Sequence, residues 1–376
     1  MKNPMRNKVR VELNRKKKYV YTNHSEEFGF REISSLINFL NNIKRRHKLS
    51  LLPIVINLGN ITFADKLSYI VLECICYNLI VKENCKLSVY YKNKTTIDNA
   101  GIDSSCIKSI NRDKDLFVKM FGFESYMKHF RRIIKCENRG GENLGYLTQD
   151  IEAFLNLWEI DDECSSDISM VVGELVDNAL EHSNSDCLID IDVTRNYWKT
   201  EDGDIVYGVN IVILNFSDIL FHENLMKKFD EIKDAKLEIP LRYKNAEKAR
   251  EYHSMHWNEH YTEDDFFTIT AFQDKISGRE STNNTGGRGL TQLIKAIEEK
   301  ADSSHCYILS GDKAIRFIKE YLLQNEEQWV GFNESSNYLT DVPKEECMYK
   351  SMFFMPGTAY NLTFVLKKEE NDNEQN

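Results

Sequence analysis

Proline is scarce, five residues in 376, so few points force a helix or strand to break. No apolar run approaches the about 20 residues of a membrane-spanning helix, so no membrane insertion is expected. Nine cysteines are scattered, an odd number without a Cys-x-x-Cys pair. With no secretory leader in view, they read as reduced thiols of a cytoplasmic protein. An excess of positive charge is also missing. Lys and Arg number 49 against 59 Asp and Glu, a net charge of -10, which excludes a nucleic-acid polycation as a description of the whole chain. Basic residues do gather at the start: Lys2, Arg6, Lys8, Arg10, Arg15, Lys16, Lys17 and Lys18 face Glu12 alone. Such an arm can touch nucleic acid or an acidic partner, or be a solvated end whose lysines discourage strand aggregation. The acidic whole favours the second reading. What the chain has is 41% hydrophobic residues and a length that suits two domains.

The most informative stretch runs from Met170 to His182. It has no Pro, and no Gly after Gly173, so a helix is expected, with Met170, Val171, Leu175 and Ala179 on a buried side. Glu174 and Asn178 are four apart and share one face. A carboxylate and a carboxamide at that spacing suit Mg-nucleotide chemistry. The amide oxygen is a hard ligand for Mg²⁺, and the carboxylate can take a proton from an attacking water. Read alone, the stretch also fits an ordinary amphipathic helix with two surface polar residues. Ser166 or Asp167 is the expected cap.

A second stretch, Thr285-Gly286-Gly287-Arg288-Gly289-Leu290, leads into the periodic apolar run Leu290, Leu293, Ile294 and Ile297. This is a Gly-rich loop opening a helix, where bare backbone N–H groups favour phosphate oxygens. Near the end, Pro356-Gly357-Thr358 turns into a strand with Tyr360, Leu362 and Phe364 alternating.

Together these three elements resemble the GHKL ATPase superfamily, the Bergerat or HATPase_c-like fold, over about residues 140–366. The resemblance implies ATP and Mg²⁺ as cofactors. Glu174 would be the general base and Asn178 the Mg²⁺ ligand, with Asp177 beside them as a supporting residue. Gly286, Gly287, Arg288, Gly289 and Leu290 would form the phosphate loop, with Arg279 and Lys275 as further phosphate candidates. The family's adenine-binding Asp falls on Asn215 at the end of the strand Val206–Leu214, with Asp218 as the alternative if the loop shifts. Thr358 would support that contact. Residues 219–286 would be a long lid that closes over ATP, with short helices read at Leu225–Ile232 and Ala246–His253 and a helix-start signal at Thr262-Glu263-Asp264-Asp265.

The fold expected is mixed α/β (α+β): a small N-terminal α/β domain, then a Bergerat-fold sandwich. The divisions expected are 1–116 with the basic arm, a connecting helix over 117–139, the ATP-binding domain over 140–366 and an acidic tail over 367–376. In the first part, a helix within 27–48, a buried strand Leu51–Leu58, a helix Leu67–Val81 and a strand Lys86–Tyr91 make one layer. The stretch from Ile54 to Asp65 weakly resembles a STAS domain, the fold of anti-sigma-factor antagonists. Its usual phosphoacceptor position holds Lys66, so the resemblance implies a docking module. In the second part, a loop is expected over Gly140–Gly145, an amphipathic helix over Leu147–Trp158, and an antiparallel pair Cys187–Val193 and Val206–Leu214. His129 reads as structural or surface. His253, His256 and His260, at i, i+3 and i+7, could bind zinc on a helix, although exposed lid histidines are the default. Residues 320–349 read as an insertion.

Three functions remain open on sequence. One is an ATPase whose nucleotide state changes its binding to a protein partner, in bacterial signalling or phage defence, with a possible nucleotide-dependent homodimer. The others are an anti-sigma-like protein Ser/Thr kinase and a nucleotide-gated scaffold without turnover.

Overall fold

The computed structural model describes residues 17–94, 105–126, 129–138, 141–183, 185–199, 205–234, 239–276, 289–300 and 305–367. The chain divides into two compact units, Met1–Glu124 and Ser125–Asn376, and mixes helices with two sheets, as expected of an α/β chain. Among the described residues no helix is long and apolar enough to cross a membrane.

The first unit is built on β3, Ile54–Phe63, whose Ile54, Ile56, Leu58, Ile61 and Phe63 are buried. β1, Tyr19–Thr22, and β2, Glu27–Phe28, pair in parallel with the two ends of β3, and β4, Leu87–Asn93, also runs parallel to it. Parallel neighbours need a crossover. Helix α2, Lys66–Tyr77, supplies it between β3 and β4. Asp65 caps α2, its Oδ1 accepting from the Ser68 N–H at 2.7 Å and the Ser68 hydroxyl at 2.6 Å. Helix α1, Phe30–Lys44, buries Ile33, Leu36, Phe39, Leu40 and Ile43 at helical spacing. The strand–helix–strand order read from the sequence is therefore present.

The connecting helix expected over 117–139 does not form. Helix α3, Lys114–Gly122, stops early and is followed by two strands, β5, Phe123–Tyr126, and β6, His129–Ile134. The reason lies in a buried polar cluster. Arg131 and His129 are both fully buried, and alternation along β6 puts them on one face. There the Asp190 carboxylate accepts from Arg131 Nε at 2.5 Å and lies 2.8 Å from His129 Nε2. A buried charge needs such a partner. Gly122 is also a poor helix residue. His129 is thus structural and fully interior.

In the second unit the sheet order is β5-β6-β7-β8-β10-β9 among the described residues. β7 is Cys187–Lys199, β8 Ile205–Asn215, β9 Tyr307–Arg316 and β10 Met348–Lys367. β6 to β10 are joined antiparallel, and the expected Cys187–Val193 and Val206–Leu214 pair is the β7/β8 hairpin. One face carries Ile189, Ile191, Ile211, Ile213, Leu362 and Phe364, all within the main apolar cluster. The alternate residues form a buried polar ladder. Asn210 Nδ2 donates to Asp192 Oδ1 at 2.9 Å, and Thr363 Oγ1 donates to Asn210 Oδ1 at 3.1 Å.

Helix α4, Gly141–Asn156, takes in the loop expected over Gly140–Gly145. Its Leu147, Ile151, Phe154 and Leu155 bury against the same cluster, and that packing outweighs the weak helix propensity of Gly141 and Gly145. α4 packs on helix α5, Asp162–Ser183, and α5 in turn touches β7, β8 and β10.

The region expected as a lid holds helices where its sequence signals them. Its described residues contain α6, Glu223–Asp234, and α7, Leu241–Ser254, over the short helices expected at Leu225–Ile232 and Ala246–His253, and α8, Glu263–Thr270, after the start signal at Thr262–Asp265. Phe266, Phe267, Ile269 and Phe272 are fully buried, so α8 and the turn after it are part of the core. Within the expected lid, 235–238 and 277–286 lie outside the described residues. Part of the insertion over 320–349 is core as well, with Trp329, Val330, Phe332 and Tyr338 buried. Arg242 of α7 clamps it. Its guanidinium lies 3.4 Å from the Trp329 ring centroid. It also donates to the carbonyls of Asp274 at 3.0 Å, Glu327 at 2.7 Å and Gln328 at 2.7 Å.

Candidate functional site

The site is built on α5. Asp161 caps this helix, its Oδ1 accepting from the Cys164 N–H at 2.7 Å. Ser166 and Asp167, the caps expected from sequence, lie inside the first turns instead. The helix starts earlier because Asp161 takes the capping role as the chain leaves Trp158 and Ile160 in the core. Val171, Val172, Leu175, Val176 and Leu180 face the core, whereas Met170 is 44% exposed and departs from the buried side expected of it. Glu174, Asp177 and Asn178 occupy the flank between these two sides and are half-buried. That is the environment a ligand-binding polar pair needs: neither sealed in the apolar core nor fully in water. Among the described residues, the Asn178 carboxamide has no hydrogen-bond partner.

Helix α9, Gly289–Lys300, packs on α5. Its Leu290, Leu293, Ile294 and Ile297 are buried, as the periodicity predicts. Leu290 therefore lends its side chain to the core, which leaves its backbone for any phosphate contact. Lys300 Nζ lies 2.6 Å from Asp167 Oδ2 and ties the end of α9 to the first turns of α5. A helix of 12 residues rises about 17 Å along its axis. Gly286, Gly287, Arg288 and Arg279 lie outside the described residues. Lys275 pairs with Asp274 at 3.6 Å, its side chain more than half exposed.

At the end of the sheet, Asn215 and Thr358 are register partners across β8 and β10. The Thr358 N–H donates to Asn215 Oδ1 at 3.0 Å. Asn215 Nδ2 donates to Ser185 Oγ at 3.2 Å, and Ser185 Oγ lies 2.9 Å from Ser183 Oγ, on the last residue of α5. The Ser183 hydroxyl also reaches the Ala179 carbonyl. Asn215 thus clasps the tip of β8 to β10 and to the end of α5. The two residues expected to share the base contact, Asn215 and Thr358, are brought together. Asp218 is exposed and lies outside the clasp. Gly357 makes the clasp possible. Its φ is +88, and a Cβ there would stand 2.5 Å from the Asn215 carbonyl oxygen and 2.8 Å from the Ser217 nitrogen. Sequence reasoning missed Ser183 and Ser185. Two hydroxyls, one on the last residue of the motif helix and one just past it, are the signal they left.

The three histidines do not form a metal site. α7 ends at Ser254, so only His253 is on it, and among the described residues no group of three or more His, Cys, Asp or Glu is placed to hold a metal ion. His253 is fully buried, contrary to the exposed lid residue expected, while His256 and His260 are exposed. The Tyr338 carbonyl 2.8 Å from Nε2 can only accept, so Nε2 carries the hydrogen and Nδ1 accepts from the Tyr261 hydroxyl at 2.6 Å. Burial pushes the His253 pKa below the ordinary 6.5. The unfolded chain then binds the extra proton first. The stability this neutral ring contributes is full above about pH 6.5 and falls as pH drops below it towards the lowered folded value. Urea unfolding followed by tryptophan fluorescence is expected to show the midpoint falling between pH 7.5 and 5.5. His253→Gln flattens that fall, and His256→Gln leaves it as in the wild type.

The chain matches no protein-family model, no curated protein and no solved structure with which it was compared.

Proposed function

We propose that the second unit binds Mg-ATP and hydrolyses it in the manner of a GHKL ATPase, with the nucleotide state altering how the chain meets a protein partner. One observation carries this reading. α5 presents Glu174 and Asn178, whose carboxamide has no partner among the described residues, on its half-buried flank, while its end is tied through Ser185 to the Asn215–Thr358 clasp. The motif helix, the helix after the Gly-rich loop and the late Gly-Thr strand are thus parts of one packed body.

The residues fit the group the reading requires. Asn178 offers a hard oxygen on a partly hydrated face, and Mg²⁺ takes few protein ligands alongside water and phosphate. Mg²⁺ bound there would supply charge neutralisation at the phosphates. Glu174 would orient the attacking water and accept its proton. Backbone N–H groups at the start of α9 would hold phosphate oxygens, and Asn215 with Thr358 would meet the base. The protein's own contribution is position and electrostatics.

The test is turnover by the full chain with Mg-ATP. Phosphate released without any added protein supports the ATPase. Label transferred to a protein substrate in place of release moves the assignment to a kinase. Tight binding without turnover makes the chain a nucleotide-gated scaffold, and no binding overturns the nucleotide reading.

A further inference from the structure

We infer that the base end of this site accepts 6-oxo purines as well as 6-amino purines, because Asn215 presents a donor and an acceptor held side by side. The inference rests on the nucleotide reading above and names which bases it admits.

The orientation of the Asn215 carboxamide follows from its partners. The Thr358 N–H can only donate, so the atom facing it at 3.0 Å is the oxygen. The nitrogen therefore faces Ser185 Oγ at 3.2 Å. Asn215 is 2% exposed, so the protein fixes this orientation and the amide does not flip to suit a ligand. A carboxamide oxygen has two lone pairs and its nitrogen two hydrogens. Among the described residues the clasp uses one of each, leaving one lone pair and one N–H.

A 6-amino purine can donate to that lone pair, and a 6-oxo purine can accept from that N–H. A carboxylate at 215 would behave differently. With one oxygen accepting from the Thr358 N–H and the other from the Ser185 hydroxyl, only acceptor sites would remain, and a 6-oxo group would face them unpaired. The residue type at 215 is thus a specificity determinant.

Two neighbouring hydroxyls are already engaged. Ser217 Oγ donates to the Ser183 carbonyl at 3.0 Å and accepts from the Ile219 N–H at 3.0 Å. Ser310 Oγ donates to the Gly357 carbonyl at 2.7 Å and accepts from the Phe221 N–H at 3.0 Å. The Asn215 carboxamide is the group whose replacement tests the discrimination.

Equilibrium binding of ATP and ITP to the full chain with Mg²⁺ tests this. ITP carries the 6-oxo group without guanine's 2-amino group. Wild-type affinities are expected within about threefold of each other. In Asn215→Asp, ITP is expected to weaken relative to ATP by about thirtyfold or more, the consequence of a buried acceptor facing an acceptor. If Asn215→Asp fails to fold, the wild-type ratio decides alone. Wild-type preference for ATP of about a hundredfold, or an unchanged ratio in a folded Asn215→Asp, overturns the inference while leaving the nucleotide reading intact. Failure of both nucleotides to bind removes that reading and this inference with it.

Discussion

Glu174→Ala is expected to hold ATP affinity within about threefold and to lower hydrolysis by about 10²- to 10⁴-fold, the range a positioned general base contributes. Glu174 lies one turn before Asn178 on the half-buried flank of α5. A base there acts on water and not on the nucleotide itself, so its loss is felt in turnover and spared in binding. Glu174→Gln keeps the size and hydrogen bonding of the side chain and loses the proton acceptor. It is expected to fall as far as Glu174→Ala, which separates base chemistry from packing. The check is phosphate release beside equilibrium ATP binding, with circular dichroism to confirm folding. Turnover equal to wild type removes Glu174 from the mechanism.

Gly357→Ala is expected to cost about 3 kcal/mol of stability in the second unit and to weaken ATP binding at least about tenfold. Two effects add at this position. The backbone has φ +88, which side-chain-bearing residues rarely adopt. The new Cβ would also overlap main-chain atoms of Asn215 and Ser217, and main chain cannot swing aside as a side chain can. Relief requires the end of β8 to move, which opens the Asn215–Thr358 hydrogen bond. Gly59 provides the contrast. Its φ is +72, but a Cβ there would meet nothing within 4 Å, so Gly59→Ala is expected to cost about 1 kcal/mol from backbone strain alone. Urea unfolding of the two variants, read beside ATP binding, makes the comparison. A Gly357→Ala variant as mild as Gly59→Ala, with full ATP affinity, would contradict the role given to the clasp.

Local pattern explains what the sequence made legible. α5, α9 and the β7/β8 hairpin each carry enough periodicity to be read from a short window, and Leu290, Leu293, Ile294 and Ile297 are buried as that period requires. That Thr358 supports Asn215 is only an implication of the family resemblance, and the register sets the two opposite each other. What was hidden depends on distant partners. Arg131 looks like a basic helix residue until it meets Asp190, 59 residues away, on the neighbouring strand. The polar run over 223–270 signals short helices, but their burial shows only when Arg242 reaches Gln328, 86 residues on, and His253 reaches Tyr338, 85 residues on. Ser185 gains its role only when the end of α5 is set against β8. Burial of charged and histidine side chains is decided by such contacts, and no local window contains them.

The most direct measurement is calorimetric titration of the full chain with a non-hydrolysable ATP analogue, with Mg²⁺ and again with the metal chelated, for the wild type and Asn178→Ala. If the flank of α5 holds the metal–triphosphate pair, Mg²⁺ strengthens wild-type binding by about tenfold or more, and Asn178→Ala loses that gain. Binding that ignores Mg²⁺ in both proteins, or no binding at all, would contradict it.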